Sequence, residues 1–389
     1  MWEAFMKGTW QDDLITFTQD IVRIPGCSTQ EKAVAQRIRQ EMERLGYDKI
    51  LTDSSGSITG VLGNGPYHIF FDSHMDTVQV TDESAWTYPP FGAEIHNGRL
   101  YGRGASDMKG ALAASVYAGA LMKENGSLEG KTVYICCSAI EEDYDGEGTW
   151  RAITENRLKP DVAVICEPTH LKISLGQRGR SVFLIHTKGV SAHGAAPEKG
   201  VNAIYKMAEI IERVRALSDR LMSREGWHGS IAASRIESTA VSVNAVPDSC
   251  TLYLDRRTTV EENEEYLAGE MDELIKGTDA SWEVYEVEGT SYMGAAVRLH
   301  SLLPAWELPG EHPLALAAEK CFREVLGREP ETCRWDFSTN GVTTAGRLGI
   351  PTLGFGAGIE KMAHQTDEYC PVEDLIKACE FYSRLPQYL

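Results

Sequence analysis

At 389 residues the chain is too long for one ordinary core, so two domains are expected. Its composition, 42% hydrophobic and 24% charged, is that of a globular protein, and its apolar runs are too short and interrupted for a membrane span. A formal net charge of −19 with no dense Lys/Arg run argues against a nucleic-acid partner.

The start, Met1-Trp2-Glu3-Ala4-Phe5, lacks the basic and apolar regions of a secretory leader. Nine scattered cysteines, with Cys136 and Cys137 adjacent, read as reduced thiols. Both features predict a cytoplasmic protein. Residues 12–22 and 30–45 read as amphipathic helices, and 50–52, 57–62 and 68–73 as strands. The third strand runs into Ser73-His74-Met75-Asp76, where the period of two puts His74 and Asp76 on one side. Gly102, Gly104 and Gly110 suit a tight path around Asp107, which stands near the start of an alanine-rich helix over 107–123. Strands over 131–139 and 162–166, with a helix between them, end in Glu141-Glu142 and in Glu167-Pro168. This βαβ rhythm predicts an α/β layer, and ligands of such layers bind beyond the carboxyl ends of the strands.

The pattern then changes. Residues 181–187 alternate as a strand, and 203–217 place Ile204, Met207, Ile210, Ile211 and Val214 on one helical stripe. Strands over 231–243 and 250–256, a helix over 262–275 and a strand over 282–287 complete the ferredoxin-like order. Helical and strand segments resume from about 311 and include Ala363-His364-Gln365-Thr366-Asp367-Glu368. The expected architecture is an α/β catalytic domain over 1–176 and 290–389, interrupted by an inserted α+β domain over 177–289.

Taken singly, each motif has a plain structural use. His74 reads as a core histidine, Asp107 as a helix cap, Glu141-Glu142 as a solvated loop and Glu167 as a turn acid. Taken together, apolar strands that repeatedly deliver carboxylates point to a metal centre. His96, His170, His186, His228, His300 and His312 have no such partner pattern.

These motifs, in this order and over nearly the whole chain, resemble the family of di-zinc amide hydrolases that holds acetylornithine deacetylase, succinyl-diaminopimelate desuccinylase, aminoacylase and carboxypeptidase. The resemblance implies a zinc-peptidase-like domain with an inserted lid or dimerisation domain. It implies Asp107 as a bridge between two divalent metal ions, with His74 and Glu167 on one and Glu142 and His364 on the other. Histidine plus carboxylate ligation suits zinc and also admits cobalt or manganese. Glu141 would be the general base, Asp76 the partner orienting His74, and His193 a lid histidine that stabilises the oxyanion. A cis peptide between Asp107 and Met108 is implied as well.

In relatives, positions matching Asn244 and Arg257 contact substrate, and Arg178 and Arg180 are weaker candidates for the same work. Thr339-Asn340-Gly341-Val342 departs from the Thr-Asp-Gly-Arg often found in relatives, which weighs against acetylornithine and succinyl-diaminopimelate as substrates. The implied activity is hydrolysis of an amide in an N-acyl amino acid or small peptide, with deacylase and dipeptidase or carboxypeptidase nearly tied. Glu167, where aminopeptidase relatives tend to have Asp, leans towards deacylase or carboxypeptidase. An inactive binding protein on the same fold would need a lost ligand or base, and the sequence shows none lost. The implied assembly is a homodimer through the lid, with His193 supplied in trans.

Overall fold

The computed structural model describes residues 10–240 and 242–389, so the reading of Met1 to Phe5 lies outside the described residues. Its apolar strands assemble into a nine-stranded sheet. Across it run Lys49–Thr52, Ile58–Gly63, Lys131–Ser138, Tyr67–His74, Val162–Ile165, Thr352–Gly354, Ile173–Gln177 and Trp306–Glu307, with Thr332–Trp335 also paired to Ile173–Gln177. The central strands, Lys131–Ser138, Tyr67–His74, Val162–Ile165 and Thr352–Gly354, are mutually parallel. Their carboxyl ends therefore open on one edge, and the motif residues follow those ends.

Strands buried on both faces read as unbroken apolar runs, as Ile69-Phe70-Phe71 and Val133 to Cys137 do. The helix Gly110–Met122 is buried nearly all round and packs against Trp10–Val22 and Val372–Arg384. Phe71 is fully buried with its ring edge-on to Tyr382, centroids 5.7 Å apart. Phe71→Ala is expected to cost about 3–5 kcal/mol in denaturant unfolding, because the packed surroundings collapse only in part. A loss below about 1 kcal/mol would show that this core is not tightly packed.

A second core lies under a separate antiparallel sheet ordered Ser230–Ser238, Ser249–Thr258, Gly179–Lys188, Ser281–Val284, with Leu302–Leu303 also on Gly179–Lys188. The helices Ala203–Met222 and Glu264–Ile275 cover one face, burying Met207, Ile210, Val214, Leu267 and Met271 against Phe183, Ile185, Leu252 and Leu254. The order strand-helix-strand-strand-helix-strand is the ferredoxin-like one read from the sequence.

Two strand readings are corrected. The strand expected over 231–243 ends at Ser238, and Ala245–Val246 instead forms a ribbon with Ala192–His193. Position 241 of that reading lies outside the described residues. The strand expected over 282–287 breaks at Tyr285: Ser281–Val284 stays in the second sheet, while Glu286–Thr290 forms a hairpin with Ala296–His300. Val297 and Leu299 of that hairpin belong to the first core. Alternation alone does not reveal that a strand changes partners along its length.

Candidate metal centre

His74 is the last residue of its strand and is buried. Glu141 and Glu142 follow the end of Lys131–Ser138, and Glu167 follows Val162–Ile165. Asp107 precedes Gly110–Met122, and its peptide bond to Met108 is cis, as the resemblance implies. His364 comes from a loop after Glu360–Met362, far along the chain. These side chains converge. His74 Nε2 lies 3.1 Å from Asp107 Oδ1 and 3.5 Å from Glu167 Oε1. His364 Nε2 lies 3.3 Å from Asp107 Oδ2 and 3.0 Å from Glu142 Oε2. Asp107 thus turns one oxygen to each histidine. Glu141 Oε2 stands 3.9 Å from His74 Nε2.

Among the described residues, two overlapping groups are able to hold a metal ion: His74, Glu141 and Glu167, and His74, Asp107 and Glu142. The candidate ligand atoms within each group lie within 4.8 Å of one another. The residues fit divalent cations on a further observation. Glu142 Oε1 and Glu167 Oε2 are buried and find no hydrogen-bond partner among the described residues. A carboxylate oxygen left this way is costly unless a cation satisfies it.

The electrostatics agree. Burial, then the Asp107 charge, pushes the Glu142 carboxyl up to about 7. Burial raises Glu141 and Glu167 well above the carboxylate range. Hydrogen bonds to Asp107 and Glu142 lift His364 to about 10. Burial opposes a charged His74, but Glu167 and Glu141 outweigh it and raise its pKa. Burial likewise opposes ionised Asp107, yet hydrogen bonds from His364 and His74 hold it below its ordinary value. The pocket has an excess of negative charge that divalent cations would balance.

Asp76 takes a broader part than a histidine partner. His74 Nδ1 is 3.0 Å from the main-chain oxygen of Asp76 but 3.6 Å from its carboxylate. The carboxylate accepts the backbone N–H groups of Glu141 and Glu142 at 3.1 and 3.0 Å and the Ser28 hydroxyl at 2.6 Å. It therefore ties the Glu141-Glu142 turn to the strand end that bears His74.

Glu368 closes the last motif, and the sequence alone points to no role for it. It is fully buried, and Arg103, Gly104 N–H, Ser106 N–H and Asp107 N–H all donate to it. The signal available was an arginine inside the glycine-rich cluster, which needs an acid when buried.

The cluster opens into a cleft of about 420 Å³ that Asp107, Glu141, Glu142, Glu167 and His364 line together with Arg180 and Arg257. His193 is exposed, pairs with Ala245 across the ribbon, and does not line this cleft; neither does Asn244. Arg178 pairs with Asp336 at 3.2 Å and also stays outside it. Asn340 is buried, with its amide bonded to Ser138 Oγ and Gly146 N–H. Thr339 and Val342 are buried beside it. A larger groove of about 680 Å³ between the two helices of the second domain holds none of these residues.

Histidines from a strand end and a loop, carboxylates that converge with them, and two arginines of the ferredoxin-like domain in the same cleft fit a two-metal hydrolase. The comparisons with known proteins agree. The model of Peptidase family M20/M25/M40 matches residues 70–388. The uncharacterized protein YgeY of Escherichia coli strain K12 is 35% identical over 383 residues, covering 97% of this chain and 94% of that protein. The acetylornithine deacetylase of Erwinia tasmaniensis is 31% identical over 341 residues, covering 81% and 80%. Among solved structures, the M20 family metallo-carboxypeptidase Sso-CP2 from Sulfolobus solfataricus has the same fold, with a TM-score of 0.76 at 18% identity over 97% of this chain and 99% of that one. The chain belongs to peptidase family M20/M25/M40, and it is a metallohydrolase acting on C–N bonds.

Proposed function

We propose that the protein hydrolyses the amide of an N-acyl amino acid or small peptide, as a deacylase or as a dipeptidase or carboxypeptidase, with deacylase or carboxypeptidase favoured over aminopeptidase. The observation that carries this reading is the placement of Asp107 between His74 and His364, with Glu141 beside them. Asp107 would bridge two metal ions, His74 and Glu167 serving one and Glu142 and His364 the other. When bound, the ions supply Lewis acidity to the scissile carbonyl and acidify the attacking water. Glu141 accepts the proton from that water as the C–O bond forms, and passes it to the amine nitrogen as the C–N bond breaks. Asp76 keeps Glu141 and Glu142 in register with His74 through the two backbone N–H groups.

The name of the acetylornithine deacetylase relative supports an N-acyl amino acid, and Glu167, where aminopeptidase relatives tend to carry Asp, supports deacylase or carboxypeptidase over aminopeptidase. The decisive assay is a panel of N-acetyl amino acids, N-succinyl amino acids and dipeptides with zinc, cobalt and manganese. Metal-dependent release of free amine from at least one is expected; no turnover by metal-loaded protein would contradict the reading.

The division into 1–176, 177–289 and 290–389 makes the middle segment a lid. Its edge strand Ser230–Ser238 is largely exposed, with Ile236 half exposed, and open edges invite pairing with a second chain. A two-fold homodimer through the lid would supply His193 in trans to the neighbour's cleft, where it would stabilise the oxyanion, and Asn244 of the lid would contact substrate. Mixing His193→Ala with Glu141→Ala is then expected to recover part of the activity after subunit exchange. No recovery despite demonstrated exchange would rule out the trans arrangement.

All nine cysteines are free, which supports a cytoplasmic site of action. Among the described residues no helix is long and apolar enough to cross a membrane.

A further inference from the structure

The turn that carries Glu141 is held by side chains from three distant segments. Ala139 N–H donates to Ser57 Oγ at 3.2 Å and Ile140 N–H to Glu31 Oε1 at 2.9 Å. The next two N–H groups, of Glu141 and Glu142, go to the two oxygens of Asp76. Carboxyl groups thus bracket Glu141 on both sides, Glu31 before it and Asp76 at and beyond it.

Ile140 occupies the hardest position of this turn. Its φ is 60°, in the left-handed region that a β-branched residue enters only at a cost. Its side chain is fully buried, and its carbonyl accepts the Tyr144 N–H at 3.0 Å. Such a conformation persists where the surroundings over-determine it. Glu141 is the next residue, so the backbone at 140 sets the direction in which Glu141 leaves the turn.

Glu31 has no other evident use. It stands just before the helix Lys32–Arg44, yet its side chain makes no cap bond to that helix. It is fully buried and reaches Ile140 across 109 residues of sequence. Its Oε2 finds no hydrogen-bond partner among the described residues. Burial, then the Asp76 charge, lifts the carboxyl to about 8. A carboxyl in that state serves Ile140 as a hydrogen-bond acceptor and not as an ion. Burying such a group is costly unless it is bonded, and the bond it makes is the one to the strained residue.

We propose that Glu31 is a positioning residue for the general base: by accepting the Ile140 N–H it holds residue 140 in the left-handed conformation and thereby aims Glu141 at the attacking water, an inference that rests on the amide-hydrolase reading above.

The test compares two variants of Glu31. Glu31→Met fills the space without an acceptor, and Glu31→Gln keeps an amide oxygen where Oε1 stands. Both are assayed zinc-loaded on the N-acyl amino acid or dipeptide that wild type hydrolyses fastest, with metal analysis and circular dichroism alongside. Glu31→Met is expected to lower kcat by about 10²-fold, the effect of misplacing a reacting group by about 1 Å. KM should change by less than about 3-fold and the metal should stay, because the loss falls on the transition state alone. Glu31→Gln should return kcat to within about 3-fold of wild type, since the acceptor is restored. A crystal structure of zinc-loaded Glu31→Met is expected to show Ile140 outside the left-handed region and the Glu141 carboxylate displaced, with His74, Asp107 and Glu167 in place. That readout needs no turnover: an inactive wild type would count against the hydrolase reading, and the crystal geometry would still decide the role of Glu31. A normal kcat in Glu31→Met, an equal loss in Glu31→Gln, loss of metal or fold together with activity, or Ile140 and Glu141 unmoved in the crystal would each overturn the proposal.

Discussion

Glu141→Gln is expected to keep its metal and lose about 10²–10⁴-fold in kcat, the usual contribution of a positioned general base. The amide is nearly isosteric with the acid but cannot accept the proton of the attacking water. Glu141 has the placement the role requires. Its backbone N–H is fixed on Asp76 Oδ1 at 3.1 Å, its side chain is buried, and its carboxylate is 3.9 Å from His74 Nε2. That proximity also lets Glu141 join a ligand group with His74 and Glu167. Metal analysis by atomic emission separates the two roles. Full metal with a collapsed kcat identifies a base. Lost metal identifies a ligand, and full metal with a near-normal rate removes Glu141 from the chemistry.

The second large effect belongs to Asp107. Asp107→Asn leaves one oxygen where Oδ1 faces His74 and Oδ2 faces His364. The amide nitrogen left in the other position cannot ligate a cation, and the shared negative charge is gone. Metal content is expected to fall, and kcat/KM with it by about 10³-fold or more, since the cations supply several kcal/mol of transition-state stabilisation. The fold should persist, because Glu368 is held by Arg103 and by the backbone N–H groups of residues 104, 106 and 107 and not by the Asp107 side chain. Circular dichroism beside metal analysis checks both halves. An Asn variant that retains full metal and activity would mean that Asp107 does not bridge.

The catalytic layer was legible because strand ends carry their own signal. An apolar run that stops in His or Glu, with no turn glycine there, delivers a polar side chain to the sheet edge, as at His74 and Glu167. The same period of two sorts Arg256 from Arg257, one buried among acids and one facing the cleft. What stayed hidden depends on backbone partners that side-chain patterns do not encode. Asp76 was read as a partner for an imidazole, yet its carboxylate mostly holds two N–H groups of a loop beginning beyond a neighbouring strand. Glu368 does comparable work for the Asp107 loop from more than 260 residues away. Asn340 was read as a substrate-end substitution and turned inward to bind Ser138. The strand over 282–287 split because its two halves serve different cores, a tertiary choice that local alternation does not register.

The central claim is that one carboxylate, Asp107, joins two metal centres. Anomalous diffraction at the zinc edge from zinc-loaded crystals tests it directly. The account predicts two peaks, one among His74, Asp107 and Glu167 and the other among His364, Asp107 and Glu142. A single peak, or two peaks that do not share Asp107, would contradict it.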